Sequence, residues 1–205
     1  MANGQETTPA EESQIKIKGQ DVNNIQADTV SLTYGAANDI EANRVSLSFA
    51  GANHIQAETA ELRQAGAQTV RGNSINVRQG GVVQARAKDI SITQGGLVFA
   101  ETTNANLTAS TAGTVMAGGS VTMDQSNAKA VITRGNVSMD QSGTGLLLAR
   151  NVQTGNNSGT ILMIAGRVDG PVNAVFGPAA GAAFGAAFAV AIALIMWIRK
   201  RLTQS

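Results

Sequence analysis

The 205-residue sequence predicts an all-β chain, a parallel β-solenoid of about eleven coils of fifteen or sixteen residues, followed by one C-terminal transmembrane α-helix. Three observations predict it: an apolar-polar-apolar triplet that returns at a near-constant step, further residue columns that keep the same step, and an uncharged apolar stretch near the C-terminus.

The triplet begins at Ile15-Lys16-Ile17 and recurs at Val30-Ser31-Leu32, Val45-Ser46-Leu47, Ala60-Glu61-Leu62, Ile75-Asn76-Val77, Ile90-Ser91-Ile92, Ala105-Asn106-Leu107, Val121-Thr122-Met123 and Val137-Ser138-Met139. Val152-Gln153-Thr154 and Val168-Asp169-Gly170 are weaker last copies. The step is fifteen residues six times, then sixteen, sixteen, fifteen and sixteen. Five residues before each triplet stands a second inward column: Ile25, Ile40, Ile55, Val70, Ala85, Ala100, Met116, Ile132, Leu147 and Met163. Two positions on comes a column of mostly small residues, including Ala27, Ala42, Ala57, Gly72 and Gly118, which Arg134 interrupts. A third column, Ala37, Ala52, Ala67, Val82, Leu97, Ala112 and Ala128, follows the triplet start by seven.

Two-residue alternation rich in β-branched side chains is a strand signal, and turns such as Tyr34-Gly35, Ala50-Gly51, Ala65-Gly66 and Gln79-Gly80-Gly81 punctuate it. Three sides of about five residues close one coil, and coils stacked at about 4.8 Å make a rod roughly 50 Å long. Asn23, Asn38 and Asn53 share a turn column, where stacked amides can bond from coil to coil. An antiparallel sandwich also has short, regularly spaced strands, but nothing in it requires residue identity to return every fifteen residues.

Around this domain, assigned to residues 14–170, the segments differ. Residues 1–13 are polar and acidic, without the basic and apolar regions of a secretory signal, and are expected to be a disordered tail. Residues 171–177 read as a short linker, 178–201 as a transmembrane helix with a basic end, and 202–205 as a tail. Twenty residues at 1.5 Å rise span roughly 30 Å, the thickness of a bilayer's hydrocarbon core. Within the span Gly177, Gly181, Gly185, Ala189 and Ala193 recur every four residues. A stripe of small residues on one helical face lets two backbones approach closely, so these five positions are the expected oligomerisation determinant.

Orientation draws opposed signals. Arg199-Lys200-Arg201 would be cytoplasmic by the positive-inside rule, whereas a large N-terminal domain without an export signal is expected to stay in the cytoplasm. The expectation is a single-pass C-terminal anchor with a cytoplasm-facing solenoid.

Composition narrows the function. The net charge is +1, and residues 1–60 hold eight acids against three bases while the remainder holds twelve of the fifteen bases. Aromatics are 3% of the chain and cysteine is absent, which removes disulfides, thiolate nucleophiles and cysteine-type zinc sites. Nucleic-acid binding needs a basic groove, usually with stacking aromatics, and the one tyrosine, Tyr34, lies in the acidic third. Asp124 and Asp140, one step apart, are the nearest approach to a carboxylate pair for acid-base work or calcium, and read better as solvated turn residues in the near-copies 121–126 and 137–142. His54 stands alone at a turn. No array of Thr is regular enough for ice binding. Arg63 and Arg78 share one column and Arg71 and Arg86 another; stacked like charges repel, so these four form a candidate anion-binding face. Glu41, Gln56 and Glu101, in the Arg71 column, can screen it. No catalytic set, cofactor, metal or small-molecule substrate is indicated, and the chain is not expected to be an enzyme.

With parallel coils of the Val-Ser-Leu kind and a polar N-terminal tail, residues 14–170 resemble the bactofilins, bacterial cytoskeletal proteins that fold as β-solenoids and polymerise end to end. The resemblance implies a structural role and carries over no site residues. Bactofilin coils are longer than fifteen residues, and a glycine-striped span is not part of their usual pattern. The expected function is a membrane-anchored structural or scaffold protein that forms a homo-oligomer through the stripe and coil ends; the alternative is a pore-like membrane assembly with a solenoid vestibule.

Overall fold

A computed structural model describes residues 13–171 and 173–174. The expected helix over 178–201, the positions Gly177, Gly181, Gly185, Ala189 and Ala193, and the tail up to residue 12 lie outside the described residues.

Among the described residues the chain is a parallel β-solenoid of fourteen strands, beginning with β1 (Gln14–Lys18), β2 (Val22–Thr33), β3 (Ala36–Ser48), β4 (Gly51–Arg63), β5 (Gly66–Arg78), β6 (Gly81–Thr93) and β7 (Gly96–Thr108). Four shorter strands follow, β8 (Thr111–Ala117), β9 (Val121–Asp124), β10 (Asn127–Thr133) and β11 (Asn136–Asp140), then the long β12 (Gly143–Thr154) and β13 (Gly159–Asp169) and the short β14 (Asn173–Ala174). Every pairing is parallel, and register follows the sequence step: Ile40 faces Ile55 and Ile55 faces Val70, while Val121 faces Val137 at the longer step. There are about ten coils, because the eleven triplets bound ten intervals and the first triplet, in β1, is only the last side of an incomplete coil.

The coil 49–63 shows how the chain closes. Ala50, Ala52, Ile55, Ala57, Ala60 and Leu62 are buried, and the alternation slips where two successive residues face out, at Asn53-His54, Glu58-Thr59 and Arg63-Gln64. Each slip is a corner, so the coil has three sides, 49–53, 54–58 and 59–63, with two inward side chains each. In a tube this narrow the inward volume is shared: the large residues sit at Ile55 and Leu62 and their neighbours are alanines.

The corner opening each first side has a feature that sequence reading missed. Tyr34, Phe49, Gln64, Gln79, Gln94, Ala109, Gln125, Gln141 and Asn157 all have positive φ, between 47° and 55°. None is glycine, and the left-handed region costs such residues roughly 1–2 kcal/mol each. The compensation is a bond between coils: the N–H of Phe49 donates to the Arg63 carbonyl (3.0 Å), that of Gln64 to Arg78 (2.9 Å) and that of Gln79 to Thr93 (3.0 Å). Gly19 heads the column with the same geometry, donating to Thr33.

Two columns counted back from the triplets need correction. Met116 and Ile132 are not inward; Val115 and Val131 are, both fully buried, while Met116 is 42% exposed. Gly118 and Arg134 likewise face outward, and the small inward positions belong to Ala117 and Thr133, so Arg134 interrupts nothing. The extra residue of each sixteen-residue step lies at 118–120 and at 134–135, between these positions and the following triplet, and shifts a backward count by one. The third long step places its extra residue at Gly155 instead. The ladder also runs past residue 170: Asn173 and Ala174, expected in a linker, pair with Gly159 and Thr160.

Candidate functional surfaces

Because register fixes every column, the solenoid arranges its polar chemistry as lines along a rod. Arg63 and Arg78 are direct neighbours at the end of the third side, and Arg71 and Arg86 are neighbours in the middle of the second. The two pairs therefore stand on different sides. One member of each is ion-paired: Arg63 with Glu61 at 3.1 Å, and Arg86 with Glu101, one coil on, at 2.8 Å. All four partners are more than a third exposed, so each pair is worth under about 1 kcal/mol.

Asp124 and Asp140 are register neighbours on the third side, as the step predicts. Among the described residues no group of three or more His, Cys, Asp or Glu side chains comes together to hold a metal ion. His54 is exposed at a corner between Asp39 and Thr69 in register.

Amides form local ladders at the corners. Asn53 donates to the Asn38 carbonyl oxygen at 2.7 Å, as expected of that column. At the next corner Asn43 donates to Asp28, Asn104 to Asp89 (2.9 Å) and Asn151 to Asn136 (2.8 Å). On the left-handed corner, Tyr34 and Phe49 stack with ring centroids 5.1 Å apart, and Gln79 bonds Gln94 at 3.2 Å. Stacking at this separation adds roughly 0.5–1.5 kcal/mol beyond the area covered.

A groove of about 1100 Å³ runs along the first side from Asp21 to Thr111. Its floor is a column of glycines, Gly51, Gly66, Gly81 and Gly96, in register from coil to coil. Their backbone does not require glycine: a Cβ would stand 4.0, 3.6 and 3.8 Å from the nearest atom at the first three and meet nothing at Gly96. Asn38, Asn53 and Gln68 border one stretch of the groove, and Val83 and Val98, both more than half exposed, border the other. The result is a long strip of accessible backbone along the first side.

A buried serine ladder was also not foreseen. The N–H groups of Ser110, Ser126 and Ser142 each donate to the hydroxyl of the next serine in the column, at 3.0, 3.2 and 3.4 Å, ending at Ser158. Each of the first three hydroxyls donates to the carbonyl two residues back, those of Thr108, Asp124 and Asp140, at 2.6 to 2.8 Å. The sequence signal for it is the serine of the recurring Asp-Gln-Ser in the near-copies.

No family model, no curated protein and no solved structure matches the chain. The fold defines a class, the parallel β-solenoids of short coil, an architecture consistent with the bactofilin-like resemblance. No helix among the described residues is long and apolar enough to cross a membrane.

Proposed function

We propose that the chain is a membrane-anchored structural or scaffold protein of bactofilin-like architecture, and not an enzyme. The observation that carries this reading is the distribution of chemistry in the ladder: charged and polar side chains are spread in columns along ten coils, while bare backbone and apolar surface form continuous strips. A reaction centre needs groups that converge on one point, whereas a surface for assembly needs repetition. The uncharged stretch 172–198 is the membrane anchor, and its stripe Gly177, Gly181, Gly185, Ala189 and Ala193 gathers protomers. The outer edge of β1, unpaired among the described residues, offers a second route, end-to-end joining of coils.

The test is the oligomeric state of full-length protein in detergent, by cross-linking and electron microscopy. Gly181→Leu with Gly185→Leu should weaken association by about tenfold, the effect of roughly 1–2 kcal/mol of lost helix packing. Ala182→Leu with Ala186→Leu, one residue around the helix, should leave it near wild type. An oligomer indifferent to the glycine replacements would overturn the stripe as determinant, and single-channel conductance from reconstituted protein would replace the scaffold with the pore.

A further inference from the structure

In the last four coils the second side changes character. Register places Met116, Ile132, Leu148 and Ile164 in one outward column, with Leu146 and Leu162 beside them on the last two coils. Met116, Leu148 and Ile164 are 42%, 39% and 56% exposed. The same outward column in the earlier coils reads Glu41, Gln56, Arg71, Arg86 and Glu101. A solvated second side is thus fully compatible with the fold, and the apolar replacement serves something outside it.

The charges of these coils are sorted around that side. Lys129 lies at one of its corners, and Arg134 and Arg150 lie at the other, all exposed. Arg167, the first residue of the following side, is held by Asp169 at 3.0 Å. The acids Asp124, Asp140 and Asp169 all lie on the third side, away from the apolar columns. Within these four coils cations therefore border an apolar face that carries no acid, and Glu101, which adjoins Met116 from the coil before, is ion-paired with Arg86; this is the pattern of a surface that sits on anionic lipid headgroups. The chain leaves the described residues at Ala174, paired with Thr160 just ahead of the corner where this side begins, and enters its uncharged stretch there.

We propose that the second side of the last four coils lies against the bilayer surface, its apolar columns seated at the headgroup boundary and Lys129, Arg134 and Arg150 on anionic headgroups. The rod then rests on the membrane by its C-terminal coils, with the first side's groove turned away. This rests in one respect on the membrane-anchor reading above, which supplies the continuity with residues 178–201.

The absence of cysteine makes the test direct, since each introduced cysteine is the only label site. Full-length Met116→Cys and Leu148→Cys proteins, and Thr122→Cys and Gln153→Cys on the third side of the same coils, are labelled with a small fluorophore and reconstituted into phosphatidylglycerol-containing vesicles. Brominated acyl chains should quench the second-side labels at least threefold more than the third-side labels. Arg134→Gln with Arg150→Gln, or vesicles of phosphatidylcholine alone, should shrink that difference. Equal quenching on both sides overturns the proposal. So does protection of the second-side labels from aqueous iodide without lipid quenching, which would assign the face to a second copy or to residues 175–198. Alkaline carbonate extraction separates the two readings: protein retained in the membrane with equal quenching keeps the anchor and removes the docking face, whereas extracted protein removes the anchor and leaves the quenching ratio to decide the face.

Discussion

In the coils before Thr102 every buried side chain is apolar, whereas from Thr102 onward the interior admits Thr102, Ser110, Ser126, Thr133, Ser142, Thr144, Thr154, Ser158 and Thr160. The lengthening of the step from fifteen to sixteen residues falls in the same region, as does the break-up of thirteen-residue strands into pieces of four to seven. An added residue at a corner takes backbone groups out of the continuous ladder, and buried groups need partners. Hydroxyls supply them: the single Thr102 O–H is shared between the carbonyls of Lys88 and Asn104, at 2.9 and 2.8 Å, and the Thr133 hydroxyl accepts from the Gly135 N–H at 3.0 Å. No buried side-chain nitrogen or oxygen among the described residues lacks a partner. Inside the front of the rod side chains contribute burial alone, and inside the back they contribute burial plus a hydrogen-bond network, so the two regions should fail differently.

The largest expected effect is in the front core. Val45→Asp places an unpaired carboxylate at a fully buried position and should cost several kcal/mol, enough to abolish the cooperative thermal transition seen by circular dichroism. Ser46→Asp, one residue on and facing out, should change stability by no more than about 0.5 kcal/mol. Equal melting of the two variants would refute the inward-outward assignment.

Next comes the corner column that is serine in the back and Ala50, Ala65, Gly80 and Gly95 in the front. A Cβ on Gly80 would stand 2.2 Å from the Ala65 carbonyl oxygen, whereas one on Gly81 would stand 3.8 Å from its nearest neighbour. Gly80→Ala should therefore lose roughly 1–3 kcal/mol in urea unfolding. Gly81→Ala should gain roughly 0.4–1 kcal/mol by restricting the unfolded chain. If both are tolerated alike, the spacing between front coils at Gly80 is looser than described, and if both destabilise alike, that at Gly81 is tighter.

In the back, Ser126→Ala removes the acceptor of the buried Ser110 N–H and should cost about 1–3 kcal/mol. Hydrogen exchange at Ser110 should accelerate by about tenfold or more while amides of the front coils keep their protection. Uniform acceleration along the rod would show the two regions to be one cooperative unit. The smallest effect belongs to the surface: Arg86→Gln should lose under about 1 kcal/mol, and less in high salt, because both partners of the Glu101 pair are about half exposed.

The same division explains what could be read from the sequence. Through the first six steps every column assigned from the triplets lies where it was expected, because a constant step makes forward and backward counting equivalent. Beyond Ala105 a backward count fails where it crosses the residues added at 118–120 and at 134–135. Met116 and Ile132 passed for core because they are apolar and one position from it, and the true inward residues, Val115 and Val131, follow from counting forward from the corners at Ala109 and Gln125. The glycines at 118, 119 and 135 mark the breaks. The left-handed corners were illegible for another reason: Gln, Tyr and Phe have no preference for positive φ, so only the intercoil bond reveals them. The apolar second side was hidden by the same confusion of outward with inward that misplaced Met116, and the Arg columns were legible as neighbours but not as belonging to separate sides.

Equivalence in this ladder is defined by step and not by boundary, since the paired residues between 36 and 93 face their counterparts fifteen residues on. An in-frame tandem duplication of one step therefore yields a whole new coil whatever residue it starts from, with both of its faces already matched to its neighbours. The twin segments 121–126 and 137–142, which differ only at Thr122 against Ser138, bear the stamp of such copying. Length in this protein is thus a heritable dimension that unequal recombination can adjust by one layer at a time without redesigning a core.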